Sequence, residues 1–235
     1  MQLVITAVAA YLLGSLSFAR LVSGRLAPDV DPFKVTLPDP ATGKTLTHHL
    51  PPRATTASMA LGWQGGCLIA ALDMAKALVP VLVLRYLYPT EYLHLVAAVF
   101  VVVGNNWPLY HGFRGGNGLS AIYGGLLAID PLGMAITLSA GFVVGLIVFR
   151  SMLLTLVLPV LLLLPWFWWR TGDLWYVAYA VALLVLYFIT VAADVKAYMP
   201  RDKDGAISER AAMEQMPMGR GMLKILDKLG LKKER

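Results

Sequence analysis

The residues best equipped for chemistry gather in one stretch of the chain: Gly104-Asn105-Asn106-Trp107-Pro108, then Gly112-Phe113-Arg114-Gly115-Gly116-Asn117-Gly118. Three glycines, Gly115, Gly116 and Gly118, fall within four positions. A backbone without Cβ atoms lets an anion come close and turns N–H groups toward it. Arg114 adds a planar guanidinium whose fork matches phosphate oxygens. This chemistry suits the binding of a phosphate, and the N-terminus of a following helix favours the same charge. A flexible turn between two helices is the plainer reading of the same residues.

Other candidates say less alone. Asp73 and Lys76 stand three residues apart in an apolar run, a spacing that puts both on one helix face. Charges in such a run are costly and normally face the protein interior, so they mark either a site or a self-neutralising bridge between helices. Gly14-Ser15-Leu16-Ser17-Phe18 offers small hydroxyl-bearing residues, which serve close helix packing or backbone hydrogen bonds as readily as a ligand. His48 and His49 lie in a segment, 23–59, that holds six prolines. With no cysteine or nearby carboxylate to complete a metal set, they read as a surface or phosphate contact, and neither metal nor cofactor is expected.

The elements that must position these residues are those of a bilayer protein. Of 235 residues, 58% are apolar and 14% charged, with mean hydropathy +0.66, against about 45–50% and about 25% in soluble domains. From Leu61 to Val195 there are ten charged residues in 135 positions, whereas the stretch from Lys196 to Arg235 holds ten of the twenty basic ones. This distribution excludes a soluble α/β enzyme, a disordered chain and a conventional nucleic-acid binder. The pI of about 9.5 reads as a positive surface facing a membrane. Cys67, the single cysteine, is expected to be a small buried hydrophobe.

Apolar runs suited to crossing a bilayer occupy 1–22, 60–87, 92–110, 119–129 with its flanks, 132–149, 151–169 and 174–197, seven in all. The first lacks a basic n-region and reads as a retained helix. With the N-terminus outside and the C-terminus in the cytoplasm, 17 of 20 basic residues face inward, as the positive-inside bias requires. The predicted division is a membrane domain over 1–198 and a basic tail over 199–235. In the tail, Met222, Ile225, Leu226 and Leu229 recur at helical spacing, flanked by Lys224, Lys228, Lys232 and Lys233. That pattern predicts an amphipathic helix on the anionic inner leaflet.

In order and spacing these motifs resemble the PlsY family, the bacterial membrane acyltransferases that move an acyl chain from acyl-phosphate to glycerol 3-phosphate. Ala10-Tyr11-Leu12-Leu13-Gly14-Ser15-Leu16-Ser17-Phe18 is similar to its opening motif. Arg53-Ala54-Thr55-Thr56, Leu61-Gly62, Asp73 and Lys76 are similar to its second region, and Gly104 through Ala121 to its third, the most specific. The resemblance covers about residues 5–198. It implies an all-α integral membrane fold of seven helices in the bacterial inner membrane, with a cytoplasmic site that makes lysophosphatidate without a cofactor.

The resemblance also implies roles. Arg114 and the N–H groups of Gly115, Gly116 and Gly118 would hold phosphate, Ser15 and Thr55 would donate hydrogen bonds, and Arg53 would supply positive charge. Asp73 and Lys76 would brace the site, and no catalytic base is assigned. The chain departs from the family where a Ser-Gly-Asn-rich loop becomes His49-Leu50-Pro51-Pro52, and where Gly-Ala-Thr-Asn and a later Arg become Arg53-Ala54-Thr55-Thr56 and Met59. Gly-Gly-Lys-Gly becomes Gly115-Gly116-Asn117-Gly118, Gly-His becomes Gly104-Asn105, and His-Arg-Glu-Asn becomes Val191-Ala192-Ala193-Asp194. A second reading stays open beside catalysis: a repurposed homologue that binds lipid phosphate or scaffolds a membrane complex.

Overall fold

The computed structural model describes residues 1–29, 31, 33–38, 45–198, 209–215 and 217–231. The tail lysines Lys232 and Lys233 lie outside these, as does the side chain of His48. The described chain is helical throughout except for one small hairpin, because apolar sequence with every backbone group bonded internally is what a bilayer tolerates.

The first apolar run is broken in two: α1, Gln2–Gly14, and α2, Phe18–Leu26, are separated at Ser15-Leu16-Ser17. The antiparallel strands β1, Lys34–Pro38, and β2, Thr45–His49, follow, pairing Lys34 with His49 and Leu37 with Leu46. The long helix α3, Ala54–Leu87, is bent at Gly62, whose φ of 72° and ψ of 178° lie outside helical space. It begins six residues before the expected boundary at 60, and this extension brings Arg53 to a helix start. Then come α4, Leu93–Asn106, α5, Leu119–Ile129, and α6, Pro131–Val143. A π-turn and a tight joint at Arg150 lead to α7, Met152–Leu161, and α8, Leu163–Thr171. The last membrane helix is α9, Leu174–Tyr198.

Packing between α1 and α4 depends on two glycines. A Cβ on Gly14 would overlap the backbone of Val101, and one on Gly104 would overlap the Tyr11 carbonyl, so the helices meet backbone to backbone. The core behind the site is built from α3, α4, α5, α7, α8 and α9, with Ile122, Leu126, Val160, Leu183 and Tyr187 fully buried. Cys67 corrects its expectation: it lies exposed on α3.

Among the described residues six helices are long and apolar enough to span a membrane, not seven. The exception is α5, whose 11 residues rise only about 16 Å. Its two ends meet different parts of the chain. Leu119 lies beside Arg53 and Asp194, while the carbonyls of Ala128 and Ile129 accept hydrogen bonds of 2.6 and 2.7 Å from Arg85 Nη1, in the last turn of α3. The guanidinium satisfies carbonyls that a helix end leaves open and complements their negative dipole.

The tail folds back onto the membrane domain. Helices α10, Glu209–Gln215, and α11, Pro217–Lys228, bury Met213, Met222 and Leu226 against Leu146 and Met152. Glu209 accepts from the Ser151 hydroxyl at 3.0 Å and from the Met152 N–H at 2.8 Å, closing the N-terminus of α7. The predicted apolar stripe is therefore divided: Met222 and Leu226 face protein, whereas Ile225 and Leu229 stay exposed.

Candidate functional site

The glycine-rich loop is laid directly on the end of α4. After Trp107 and Pro108 a short 3₁₀ turn, Leu109–His111, leads to Gly112 and Phe113, both with φ of 60°. Gly115 must lack a side chain because a Cβ there would overlap the Asn105 carbonyl, and the same carbonyl accepts the Gly116 N–H at 3.1 Å. Gly118 has φ of 77°, and a Cβ on it would come within 2.5 Å of Asn106 Oδ1. Its bareness therefore makes room for the Asn106 carboxamide, and α5 starts at the next residue.

A polar cavity of about 520 Å³ opens beside this loop. Arg20, Arg53 and Arg114 line it with Asn106, Gly115, Gly116 and Thr190, and Asp31, His49 and Asp194 complete the ionisable set. Three guanidiniums facing two carboxylates leave a positive balance that draws anions. Arg20 lies over the Phe33 ring at 5.8 Å and donates from Nη2 to the Arg114 carbonyl at 3.4 Å, so α2 and the hairpin hold the loop from outside. The hairpin also brings Asp31 within 3.8 Å of His49 Nδ1, a carboxylate that sequence separation concealed.

An apolar groove of about 190 Å³ runs alongside, lined by Thr55, Met59, Leu119, Met152, Leu156 and Val191 among others. Arg53, Asp194, Leu50 and Pro51 belong to both spaces. At this seam Arg53 Nη2 donates to Asp194 Oδ1 at 2.5 Å, with about a fifth of each side chain exposed.

Of the sequence-derived site residues, Arg53, Arg114, Gly115 and Gly116 come together on the polar cavity, and Thr55 lines the groove next to it. Ser15, Asp73, Lys76 and Gly118 line neither space. The Ser15 hydroxyl is fully buried, donates to the Tyr11 carbonyl at 2.8 Å and accepts from the Leu109 N–H at 3.3 Å. It joins α1 to the loop. The Gly116 N–H, expected to face phosphate, is spent on Asn105.

Lys76 is spent too. Its ammonium, with three donors to place, meets Asp73 Oδ1 at 2.8 Å, the Leu16 carbonyl at 2.9 Å and Asn105 Oδ1 at 2.6 Å. The side chain is 1% exposed. The break between α1 and α2 frees the Leu16 carbonyl, and Lys76 satisfies it. Through Asn105, which holds Gly116, the pair braces the loop from below.

Sequence reasoning missed Arg20, Asn106, Thr190 and Asp194 as wall residues. A carboxylate near the end of the last apolar run was a signal for Asp194. Asn106 had none beyond its place in the motif, yet it is 3% exposed and both carboxamide atoms lack a hydrogen-bond partner among the described residues.

A family model described as glycerol-3-phosphate acyltransferase matches residues 4–199. The protein named glycerol-3-phosphate acyltransferase from Thioalkalivibrio sulfidiphilus (strain HL-EbGR7) is 35% identical over 189 residues, which cover 80% of this chain and 85% of that relative. The fold is similar to the crystal structure of PlsY (YgiH), an integral membrane glycerol 3-phosphate acyltransferase, in its glycerol 3-phosphate form. The TM-score is 0.68 at 19% identity, over 83% of this chain and 91% of that one. Its lysophosphatidic acid form gives 0.67 at 18% identity, over 87% and 98%.

Proposed function

The chain belongs to the glycerol-3-phosphate acyltransferase family, and we propose that it transfers an acyl chain from acyl-phosphate to glycerol 3-phosphate in the bacterial inner membrane, forming lysophosphatidate. The observation that carries this reading is the seam: a positive polar cavity and an apolar groove share the walls Arg53 and Asp194. A phosphate-bearing acceptor and a long acyl chain require those two environments side by side.

The reaction asks little covalent work of the protein. The acceptor hydroxyl attacks an already activated acyl carbon, so catalysis consists of aligning two anions and stabilising developing charge. Arg114, exposed at the rim, and Arg20, behind it, draw the acceptor phosphate into the cavity. Gly115 and Gly116, bare because protein occupies the space their side chains would take, carry the loop backbone along that wall. Asn106 and Thr190 offer neutral hydrogen bonds deeper in, where a glycerol hydroxyl would sit. The groove holds the acyl chain out of water.

The bias of basic residues supports a membrane placement. Counting α5 as a crossing gives seven passages, with the N-terminus outside and the site, Arg150 and the tail on the cytoplasmic side. Exposed Ile225 and Leu229, beside Lys224 and Lys228, then contact anionic lipid of the inner leaflet, the stem of the tail remaining docked on Met152.

The test is direct. Purified protein receives labelled glycerol 3-phosphate with palmitoyl phosphate, palmitoyl-coenzyme A or a palmitoylated carrier protein, and lysophosphatidate is scored. Turnover with palmitoyl phosphate alone supports the full reading, and turnover with a thioester donor alone overturns the donor. Binding of glycerol 3-phosphate without product from any donor supports the repurposed homologue instead.

A further inference from the structure

Arg53 and Asp194 are the charged residues that both spaces share. Arg114 and Arg20 line the polar cavity and stay clear of the groove. Whatever passes from groove to cavity in the reaction passes at Arg53. Resting on the acyltransferase reading, we infer that Arg53 serves the transfer step and that Asp194 is its positioning residue. Arg114 is left to acceptor binding.

The local geometry supports this division of labour. Arg53 precedes the first residue of α3, with extended backbone at φ −135° and ψ 161°. Its stem passes over the loop, 3.6 Å from where a Cβ on Gly116 would lie. Asp194 takes one terminal nitrogen, while Nε is buried and without a partner among the described residues. A guanidinium has five N–H donors, so the carboxylate fixes its orientation and leaves donors unspent at the seam. Ala54, Thr55 and Thr56, the first turn of α3, line the groove, and the open N–H groups of a helix start add positive potential there. A partly desolvated ion pair adds little to folding, which leaves orientation as what this one supplies.

In the step itself, the acceptor oxygen bonds to the acyl carbon and the bond from that carbon to the phosphate oxygen breaks. Phosphate leaves with the electron pair and takes the hydroxyl proton. Negative charge grows on the acyl carbonyl oxygen and on the departing phosphate, both at the seam. Donors fixed in advance where charge develops act on the transition state rather than on substrate binding. Asp194 also keeps Arg53 from swinging onto the acceptor phosphate beside Arg114.

Steady-state kinetics on the full chain in lipid nanodiscs tests this, with palmitoyl phosphate and glycerol 3-phosphate varied separately. Arg53→Lys keeps the charge and loses the planar fork. It should lower kcat at least about tenfold while the KM for glycerol 3-phosphate stays within about threefold. Arg114→Ala should do the reverse. Asp194→Asn should lower kcat with the same unchanged KM, and Arg53→Lys with Asp194→Asn should be no slower than Arg53→Lys alone, because one residue acts through the other. Thermal unfolding checks each variant, and if Asp194→Asn does not fold, the contrast between Arg53→Lys and Arg114→Ala decides alone. Arg53→Lys that raises the KM with kcat kept overturns the assignment, as does Asp194→Asn at full rate or an additive double variant. Wild-type protein that turns over no donor is a different failure, since it removes the acyltransferase reading itself.

Discussion

Lys76→Met separates a brace from a ligand. In the structure the Lys76 ammonium is wholly enclosed, pairs with the Asp73 carboxylate and donates to the Leu16 carbonyl and Asn105. Methionine fills a similar volume without donors, so the variant strands a carboxylate that is 12% exposed. Breaking a buried pair by removing one partner costs about 3–5 kcal/mol. In a chain of 235 residues that corresponds to a fall in Tm of about 6–20 °C. Adding Asp73→Asn removes the stranded charge and should recover most of the loss. What remains, about 1–3 kcal/mol, reflects the unsatisfied Leu16 and Asn105 acceptors. The assay is thermal unfolding in a fixed detergent, run as a double-mutant cycle, with glycerol 3-phosphate binding measured on each folded variant below its Tm. If Lys76→Met melts within about 2 °C of wild type, far short of the expected shift, yet no longer binds glycerol 3-phosphate, the brace is refuted. Lys76 would then be a direct ligand that the enclosed geometry conceals.

Three shorter predictions follow from other contacts. Asn106→Leu removes a buried carboxamide that has no partner among the described residues, so Tm should hold or rise. Calorimetry should show glycerol 3-phosphate binding weakened by about two- to tenfold, the value of one neutral hydrogen bond. Glu209→Ala opens the α7 N-terminus by losing the contacts to Ser151 and Met152; an uncapped helix start costs about 1 kcal/mol, and hydrogen exchange at Met152–Thr155 should speed up while the far end of α8 is unchanged. Lys224→Glu with Lys228→Glu should raise exchange along α11 in nanodiscs of anionic lipid and leave it unaltered in neutral ones; equal exchange in both lipids for the wild type would remove lipid contact by the tail.

Much of the fold could be read because bilayer thickness dictates run length, and residues that alternate poorly but stay apolar have few other options. The reading failed where length and connectivity disagree. In α5 eleven residues fall short of the length a crossing needs, and Arg85, from another helix, reaches its last carbonyls. No window of sequence contains that contact. The hairpin was legible in principle, since Lys34-Val35-Thr36-Leu37 and Thr45-Leu46-Thr47-His48 carry β-branched alternation. The surrounding prolines made the segment read as loop. The tail helix was found by its periodicity, but a stripe of apolar residues does not say whether lipid or protein covers it. Here Met222 and Leu226 are buried against protein, while Ile225 and Leu229 are exposed.

For the site, residue type and spacing located the loop and its basic neighbours, yet did not decide which polar groups remain available. That depends on how many acceptors tertiary structure brings to each donor. Ser15 looked like a substrate donor until Tyr11 and Leu109 claimed both sides of its hydroxyl, and the Gly116 N–H was claimed by a carbonyl eleven positions earlier. The contrast between the two basic residues of the second motif makes the same point. Lys76 pairs with Asp73 and donates to the Leu16 carbonyl and Asn105, so its charge is consumed in holding the break after α1, α3 and α4 together. Arg53 has five N–H donors and finds one carboxylate among the described residues, which fixes it without exhausting it. A cation with unspent donors at the border of a polar cavity and an apolar groove retains the capacity to stabilise charge that is not yet there. Lys76, closer to the middle of the bundle and better bonded, has lost that capacity to the fold.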